Sequence, residues 1–330
     1  MGAIQKIRHF FSDQKEYSDA IRTIAKDYRR PVAAVRMDTL WCRFVYGAPV
    51  SQYIGFNMFQ MNRHERNRYI TDGRSRKLVR VLNNVSDDER AMLDQKQLFN
   101  KAFHKFVKRQ WIYVPDCSDE EILSFLERHE TIIAKPADEK QGRGVCKLNS
   151  PDVLKDKAVF IDQARKQRML LEEYVQQHPA MNAVNPSSLN TIRVATVRSK
   201  DGEVSILGAS LRGGGAGSVV DNLHAGGVQY PIDVQLGVVV RGGMTFDGEK
   251  DILVHPSTQQ VMIGFQIPNW DQVISMVKEA AAIPEHLRYV GWDVAVTEDG
   301  CEIIEANASQ GCNGMQQDGV GKYSKVKSYL

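Results

Sequence analysis

The sequence predicts a protein of the α+β class in which a mostly helical N-terminal region precedes antiparallel sheets. Residues 1 to about 110 carry apolar side chains at helical spacing, without the strand and helix alternation of βαβ units. Clean apolar and polar alternation over residues 188–198, followed by Asp201-Gly202 and a second alternating run, predicts an antiparallel hairpin. A similar pattern over residues 289–307 predicts a second hairpin.

Composition places the chain among ordinary globular proteins. It has 330 residues, of which 42% are hydrophobic and 25% are charged, so it can bury a sizeable core and form two or three subdomains. The net charge of +3 is small, and no long basic stripe interleaved with aromatic residues is present. We therefore expect no nucleic acid among its partners.

The cysteines and the apolar runs bear on the compartment. The five cysteines are odd in number and show no CxxC spacing, which indicates reduced thiols and no structural zinc. The first eleven residues contain too short an apolar run for a signal peptide, and no run approaches the length of a membrane span. We expect a cytoplasmic protein without a membrane span and leave its oligomeric state open.

The N-terminal region begins and continues with helical patterns. Ile4, Ile7, Phe10 and Phe11 recur at helical spacing, and residues 86–89, Ser-Asp-Asp-Glu, have the composition of a capped helix start. Residues 63–80 contain seven basic and two acidic side chains. This segment fits either a surface for an anionic substrate or a solvated helix face, and both interpretations stay open.

A glycine-rich loop lies between two predicted strands in the middle of the chain. The predicted strand Thr131–Pro136 has Lys135 next to its last residue. Residues 142–144 read Gly-Arg-Gly, and a second predicted strand follows from Val145. Backbone N–H groups in such a loop can approach phosphate oxygens, and a lysine at the strand end can add a point charge. The spacing matches neither the GxxxxGKT phosphate loop nor GxGxxG before a helix.

The second hairpin places three oxygen-bearing side chains within apolar strands. A two-residue loop at Asp299-Gly300 would place Asp293 and Glu305 on opposite faces, whereas a three-residue loop over residues 298–300 pairs them directly. We favour the three-residue loop. Two opposed carboxylates need a cation between them, and with Asn307 they offer the hard oxygen ligands that suit magnesium. A solvated polar strand face is the other interpretation.

Basic and polar residues also gather around the first hairpin. Arg193 shares a strand face with Thr191 and Ala195, where it can meet an anionic acyl group. The following segment over residues 211–227 is rich in glycine and includes Arg212. Because chemistry is often carried by flexible loops, we include in the candidate site Arg212, Asn222 and His224.

These motifs together resemble a known superfamily. Asp293 on one strand followed by Glu-x-Asn on the next resembles the metal-binding hairpin of ATP-grasp proteins. Gly-Trp-Asp-Val-Ala and Ile-Glu-Ala-Asn resemble its sugar-transfer-associated branch, and the resemblance covers residues 98–315. It implies an ATP-grasp fold of two α+β subdomains gripping ATP after a helical region. The domains would be residues 1–97, residues 98–176 with the phosphate lid, and residues 177–330 with the metal and substrate sites.

The resemblance also implies roles for particular residues. Lys101, on a helix before a strand that ends in proline, would reach a phosphate. The loop with Arg, then Asn-Leu-His-x-Gly-Gly, resembles that of amino-acid ligases of the ribosomal-protein glutamylating type. The phosphate lid would consist of Lys135, Gln141, Gly142, Arg143 and Gly144. The segment that contacts adenine and ribose would consist of Glu172, Glu173, Tyr174 and Val175.

The resemblance implies an ATP-dependent carboxylate–amine ligase that works through an acyl phosphate. Its cofactors would be ATP and two magnesium ions held by Asp293, Glu305 and Asn307. Arg193 and Arg212 would stabilise developing negative charge, and His224 would serve as an acid or base. The substrates would be a small-molecule carboxylate and an amine, either of them sugar- or peptide-linked. The chain lacks a recognisable βαβ lead-in domain, which leaves both substrates open.

Two other functions use the same motifs. A phosphotransferase with this fold would pass phosphate to a hydroxyl of a sugar or other small molecule. A non-catalytic nucleotide-binding module would bind ATP without turnover. The module is the weakest of the three, because the chain keeps all three metal-ligand positions.

Overall fold

The structure is a computed structural model that describes residues 15–139, 143–219, 221, 223, 226–245 and 249–330. The helical pattern over Ile4–Phe11 lies outside these residues. Residues from 18 to 102 form seven helices and one 3-10 turn, as the N-terminal pattern predicts. The helices are α1 Ser18–Asp27, α2 Val32–Val45, α3 Val50–Gly55, α4 Arg63–Asn67, α5 Asp72–Leu82, α6 Asp87–Asp94 and α7 Lys96–Ala102.

The beginning of α6 confirms the capping prediction. The Ser86 hydroxyl accepts a hydrogen bond from the Glu89 backbone N–H, and the Glu89 carboxylate accepts one from the Ser86 backbone N–H. Helix α5 packs against the second sheet, because Leu78 and Leu82 share a core cluster with Val197 and Tyr289. The helical region is therefore joined to the sheets by apolar contacts.

The first sheet has four antiparallel strands in the order β1-β4-β2-β3. Its strands are β1 Trp111–Tyr113, β2 Thr131–Pro136, β3 Cys146–Asn149 and β4 Met169–Glu173. Three helices accompany it: α8 Asp119–Arg128, α9 Ser150–Lys155 and α10 Lys157–Lys166. Ile132, Ala134 and Leu171 pack against Phe125 and Ile161 of these helices. Strand alternation therefore turns Lys135 and Glu172 to the opposite face.

The second sheet is antiparallel in the order β11-β10-β5-β6-β7-β8, with β9 paired to β7. Its strands are β5 Thr191–Arg198, β6 Val204–Gly213, β7 Val228–Asp233, β8 Val238–Val239, β9 Met244–Thr245, β10 Tyr289–Thr297 and β11 Gly300–Asn307. Three further helices are α11 Pro179–Val184, α12 Trp270–Ala281 and α13 Tyr323–Lys327. The inner face of α12, including Val273, Met276 and Val277, packs with Val194 and Trp292 in the main core.

The predicted pairing of Asp293 with Glu305 is confirmed, but it arises from different turn geometry. The turn contains only Glu298 and Asp299, because Thr297 pairs with Gly300. The register then shifts between Asp293 and Val294 through a β-bulge. The predicted three-residue turn is wrong, and the extra residue lies on β11 at Ile304.

The tail after Gln310 is rich in glycine and glutamine, yet it is ordered. It contains a 3-10 turn Gly314–Gln316 and ends in α13. Gln316 is buried, its amide donates to the Ile70 carbonyl, and its carbonyl oxygen accepts the Ile70 N–H. Side-chain and backbone contacts with the helical region therefore order a segment whose composition is typical of loops.

Two observations concern the environment of the chain. All five cysteines lie within the described ranges and none forms a disulfide, as their number and spacing predict. No helix among the described residues is long and apolar enough to cross a membrane.

Candidate active site

A cleft separates the two sheets and collects charged residues from both. The first sheet contributes Lys135 and Glu172, and the second contributes Arg212, Asp293 and Glu305. Apolar side chains complete the walls, among them Ile133, Leu189 and Ile304. The cleft can therefore take a ligand that has an apolar part and a charged part.

Glu172 is the centre of a buried ion network on the first sheet. Lys135 Nζ lies 2.6 Å from Glu172 Oε2, and Arg109 Nη2 lies 3.0 Å from Oε1. Asn100 Nδ2 also donates to Oε1, at 3.1 Å. Burial raises the pKa of Glu172, but Arg109 and Lys135 outweigh it and lower the pKa to about 2. Glu172 is thus an anion that holds Lys135 beside the cleft.

The segment at the end of β4 lines the cleft, and the resemblance implies adenine contacts for it. Glu173, Tyr174 and Val175 all contribute to the lining. The Glu173 N–H already donates to the Gln110 carbonyl at 2.9 Å, and its carboxylate accepts the Gln110 N–H at 3.0 Å. The Glu173 N–H is therefore already engaged within the protein.

Lys96, rather than the predicted Lys101, lies at the cleft. Lys96 lines the cleft, and its Nζ donates to the carbonyls of Pro136 at 2.9 Å and of Glu139 at 2.5 Å. Lys101 is exposed near the end of α7 and is not among the residues that line the cleft. Both lysines lie on α7, and Lys96 stands five positions before the predicted Lys101.

The glycine-rich loop is partly described. Gln141 and Gly142 lie outside the described residues, whereas Arg143 and Val145 line the cleft. Gly144 has a φ of +70°, and a Cβ there would lie 2.9 Å from Pro136 Cγ. A glycine is therefore required where the loop turns back against the end of β2.

Asp293 is the corresponding centre on the second sheet. Arg193 contacts it through Nε at 2.5 Å and Nη2 at 2.8 Å, and Arg212 Nη1 lies 3.1 Å from Asp293 Oδ1. Burial raises the pKa of Asp293, but the two arginines lower it to about 2. The structure thus brings the two predicted arginines together on one carboxylate.

Asp221 extends this network. Arg212 Nη2 donates to Asp221 Oδ1 at 3.3 Å, and Oδ2 accepts hydrogen bonds from the Thr191 backbone N–H and hydroxyl. Burial opposes the charge of Arg212, but Asp221 and Asp293 raise its pKa. Asn222 and His224, which follow Asp221, lie outside the described residues.

Glu305 has the opposite electrostatic surroundings. It keeps exposed surface in the cleft, and the Asn307 amide donates to its Oε1 at 3.2 Å. Loss of surrounding water and the charge of Asp293 together raise the pKa of Glu305. A cation between these carboxylates would reverse this effect, since it favours the charged form of both.

The donor set fits magnesium in complex with a phosphate ligand. Asp293, Glu305 and Asn307 supply hard oxygen atoms on one sheet face, which is the chemistry that magnesium prefers. No cluster of three or more His, Cys, Asp or Glu side chains within the described ranges could hold a metal by itself. Phosphate oxygens and water would complete the coordination, as is usual for magnesium.

Several site residues carry no signal that sequence reasoning could have used alone. Arg109 and Asn100 reach Glu172 only after the first sheet forms, because they are 63 and 72 residues away along the chain. Asp221 was within reach, since it directly precedes the predicted Asn222. Lys96 lies two positions before the residues 98–315 that the resemblance covers, so the motif comparison did not include it.

The fold and the site together define the class of protein. Two antiparallel α+β lobes face each other across a cleft, with lysine and a glycine-rich loop on one side and paired carboxylates on the other. This is the ATP-grasp fold, here preceded by a helical region. A model of the family described as sugar-transfer associated ATP-grasp matches residues 66–327, and the chain belongs to that family.

Solved structures resemble the chain at low sequence identity. A biotin carboxylase–βγ-ATP complex from Campylobacter jejuni has a TM-score of 0.48 and 12% identity, covering 72% of this chain and 46% of the other. The ADP complex of an N5-carboxyaminoimidazole ribonucleotide synthetase has a TM-score of 0.46 and 13% identity, with coverages of 73% and 52%.

The ATP-grasp ligase PsnB with a minimal precursor has a TM-score of 0.44 and 15% identity, covering 75% of this chain and 64% of the other. The chain therefore spans less than two thirds of these structures. A comparison with curated protein sequences returned no match.

Proposed function

We propose that this protein is an ATP-dependent carboxylate–amine ligase that forms an amide or peptide bond through an acyl phosphate. The observation that carries the proposal is the row Glu305, Asp293 and Arg193, which lie opposite one another on three adjacent strands. The carboxylates of Glu305 and Asp293 could bind a cation, and the neighbouring guanidinium of Arg193 could bind an anion. This combination suits a site where a phosphoryl group moves to a carboxylate.

The nucleotide would lie in the cleft with its base against the first sheet. The backbone of Tyr174 and Val175 would contact adenine, and Ile304 would cover its face. Lys135 and Lys96 would contact phosphates, together with Arg143 of the lid. We propose Lys96 in place of Lys101 because Lys96 lines the cleft. The domain division at residues 97/98 and 176/177 is part of this proposal.

The metal ligands would be Asp293, Glu305 and Asn307, with two ions as the proposed number. Bound magnesium would neutralise charge on the β and γ phosphate oxygens and so favour phosphoryl transfer. Each carboxylate has a second task in the protein. Asp293 aligns Arg193 and Arg212, and Glu305 accepts the Asn307 amide and so orients its oxygen.

The two arginines would hold the acid and the transferred phosphoryl group. The acid's carboxylate oxygen attacks the γ phosphorus, the bond to the β–γ bridging oxygen breaks, and ADP leaves. The amine then attacks the acyl carbon, the carbon–oxygen bond breaks, and phosphate leaves with one oxygen of the acid. Arg193 and Arg212 stabilise the oxyanions of both steps. The roles of His224 and Asn222 at the acceptor stay predictions.

Isotope labelling tests this reaction against phosphoryl transfer to a hydroxyl. Named carboxylates and amines, including the common amino acids and sugar acids, are first screened in pairs for ADP release. The acid of the best pair is then labelled with heavy oxygen in its carboxylate. We expect one labelled oxygen in the released phosphate. A phosphorylated product without free phosphate would instead support the phosphotransferase, and magnesium-dependent binding without any turnover would support the non-catalytic module.

A further inference from the structure

A buried amide lies beside the arginine and carboxylate pair. After β11 the chain crosses the cleft face of the second sheet, where Gly291 leaves room for the Gln310 side chain. A Cβ on Gly291 would lie 2.8 Å from Gln310 Oε1 and 3.2 Å from Arg193 Nη1. The missing side chain of Gly291 thus forms a space shared by the amide oxygen of Gln310 and the guanidinium of Arg193.

Gln310 makes no use of its polar atoms in this arrangement. The residue is only 3% exposed, and neither amide atom has a hydrogen-bond partner among the described residues. Leaving a buried amide without partners costs free energy, so native proteins avoid it. An unpaired acceptor next to a guanidinium indicates an interaction that forms in another state of the protein.

The contacts of Asp293 indicate that this other state is the one with a bound cation. Arg193 uses Nε and Nη2 for Asp293, which leaves Nη1 on the side of Gln310. Arg212 contacts both oxygens of Asp293 as well, at 3.1 and 3.2 Å. Magnesium held by Asp293 would need the same oxygens, so its binding would weaken at least one of these arginine contacts.

We propose that Gln310 is a positioning residue that receives Arg193 when Asp293 turns to the cation. The inference rests on the metal site of the proposed function. Of the two arginines, Arg193 is the one that moves, because Arg212 remains tied to Asp221. A shift of Arg193 across the space above Gly291 brings its guanidinium to Gln310 Oε1. The guanidinium of Arg193 would then keep a hydrogen-bond partner and remain close to the proposed phosphoryl site.

The exchange predicts that Gln310 matters only when the metal is present. ADP affinity is measured by calorimetry with magnesium and with chelator, in wild type and in Gln310→Met, which keeps the side-chain length. We expect Gln310→Met to weaken magnesium-ADP binding roughly tenfold, the size of one hydrogen bond to a charged group. ADP binding in chelator should change less than about twofold, because Arg193 then stays on Asp293.

Two further variants give results that a merely structural role would not produce. Gln310→Glu places a carboxylate beside Arg193 and draws it from Asp293 without metal, so magnesium-ADP should bind at least as tightly as in wild type. In an Arg193→Met background, Gln310→Met should add no further loss. Gln97→Met is the control: its buried Oε1 also has no partner among the described residues, and it does not line the cleft.

The outcomes separate this inference from the proposed function. If magnesium fails to strengthen ADP binding in wild type, the proposed metal site is wrong. If magnesium strengthens it but Gln310→Met has no effect, or weakens binding equally in chelator, only the exchange of Arg193 is refuted. Weaker magnesium-ADP binding in a folded Gln310→Glu variant would also refute it.

Discussion

At the residue scale, carboxylates that look alike in the sequence have opposite electrostatic surroundings. Asp293 and Glu172 each contact two cationic side chains, which lower the pKa of both to about 2. Glu305 faces Asp293, and burial and that charge raise its pKa. The first two are therefore held as anions, whereas the surroundings of Glu305 favour its neutral form relative to an ordinary carboxyl group.

Replacement of Glu305 tests the metal site. We expect Glu305→Gln to reduce magnesium-ADP affinity tenfold or more, because a neutral amide replaces a charged ligand. ADP binding in chelator should not weaken, since the change removes a negative charge from a site for phosphates. Calorimetry measures both affinities. Glu298→Gln in the exposed turn of the same hairpin is the control and should bind as wild type does.

The pKa of Glu305 adds a pH dependence to this prediction. Without metal its folded-state pKa is raised above the ordinary value of 4.5, so protons compete with magnesium from a pH above 4.5 downward. Magnesium-ADP affinity should therefore fall as the pH is lowered toward this range. The Glu305→Gln variant should lose most of that dependence. An equal pH slope in both proteins would contradict the assignment.

Replacement of Lys135 tests the phosphate contact. In Lys135→Met, Glu172 keeps Arg109 and Asn100 as partners, so we expect the fold to persist. ADP affinity should fall about tenfold with or without magnesium, because a charge-assisted phosphate contact is lost. Lys155→Met, in an exposed ion pair with Asp152, should leave the affinity unchanged. If Lys135→Met binds ADP as tightly as wild type does, Lys135 serves only the Glu172 network.

At the element scale, the bulge on β11 decides what the hairpin presents to the cleft. A regular strand would alternate Ile304 and Glu305 between faces. The bulge between Asp293 and Val294 instead leaves both residues in the cleft lining, one as an apolar wall and one as the proposed metal ligand. A single extra residue thus places an apolar side chain and a carboxylate side by side in the cleft.

The lid strand pair gives a prediction at the same scale. Gly144→Ala puts a Cβ at a φ of +70° and 2.9 Å from Pro136 Cγ, so the loop must shift. We expect weaker ADP binding. The free energy of unfolding should fall by only about 1–2 kcal/mol, because the strain is local. Gly55→Ala is a matched control, since its added Cβ meets no atom within 4 Å.

Calorimetry and urea unfolding check the lid prediction together. The control should bind ADP as wild type does and unfold at the same or a slightly higher urea concentration, because alanine favours the helix. Unchanged ADP affinity in Gly144→Ala would show that the lid conformation does not contribute to nucleotide binding.

At the scale of the whole molecule, Arg109 joins the two sheets. It is buried between Glu172 of the first sheet, at 3.0 Å, and Glu302 of the second, at 2.8 Å. The cleft lies beside this contact, and Arg109 is among its lining residues. One guanidinium therefore connects the Glu172 network of the first sheet to the hairpin that carries Asp293 and Glu305.

Arg109→Met tests this connection. We expect the free energy of unfolding to fall by about 3 kcal/mol or more, because two buried carboxylates lose a partner. Urea unfolding followed by circular dichroism measures the change. Lys105→Met, which removes an exposed pair with Glu279, should cost less than about 1 kcal/mol. A similar small change for both variants would show that Arg109 is not the main ionic contact between the sheets.

The sequence by itself determined the features that depend on local pattern. Alternation predicted the strands that carry Arg193, Asp293 and Glu305. Helical spacing predicted the helices of the N-terminal region, and Ser86 to Glu89 predicted a capped helix. The motif order predicted the ATP-grasp fold, which the family match confirms. These features rest on neighbours within a few residues, so the printed order of side chains is sufficient to reveal them.

Only the tertiary structure decided which distant parts of the chain, and which charged groups, contact each other. The bulge at Ile304, the position of Lys96 in the cleft lining and the ion network of Asn100, Arg109 and Glu172 depend on contacts between distant segments. The order of the C-terminal tail has the same origin, because Gln316 bonds the backbone of Ile70, 246 residues away. Burial and long-range pairing set these outcomes, and no local pattern encodes which distant partner a buried charge will find.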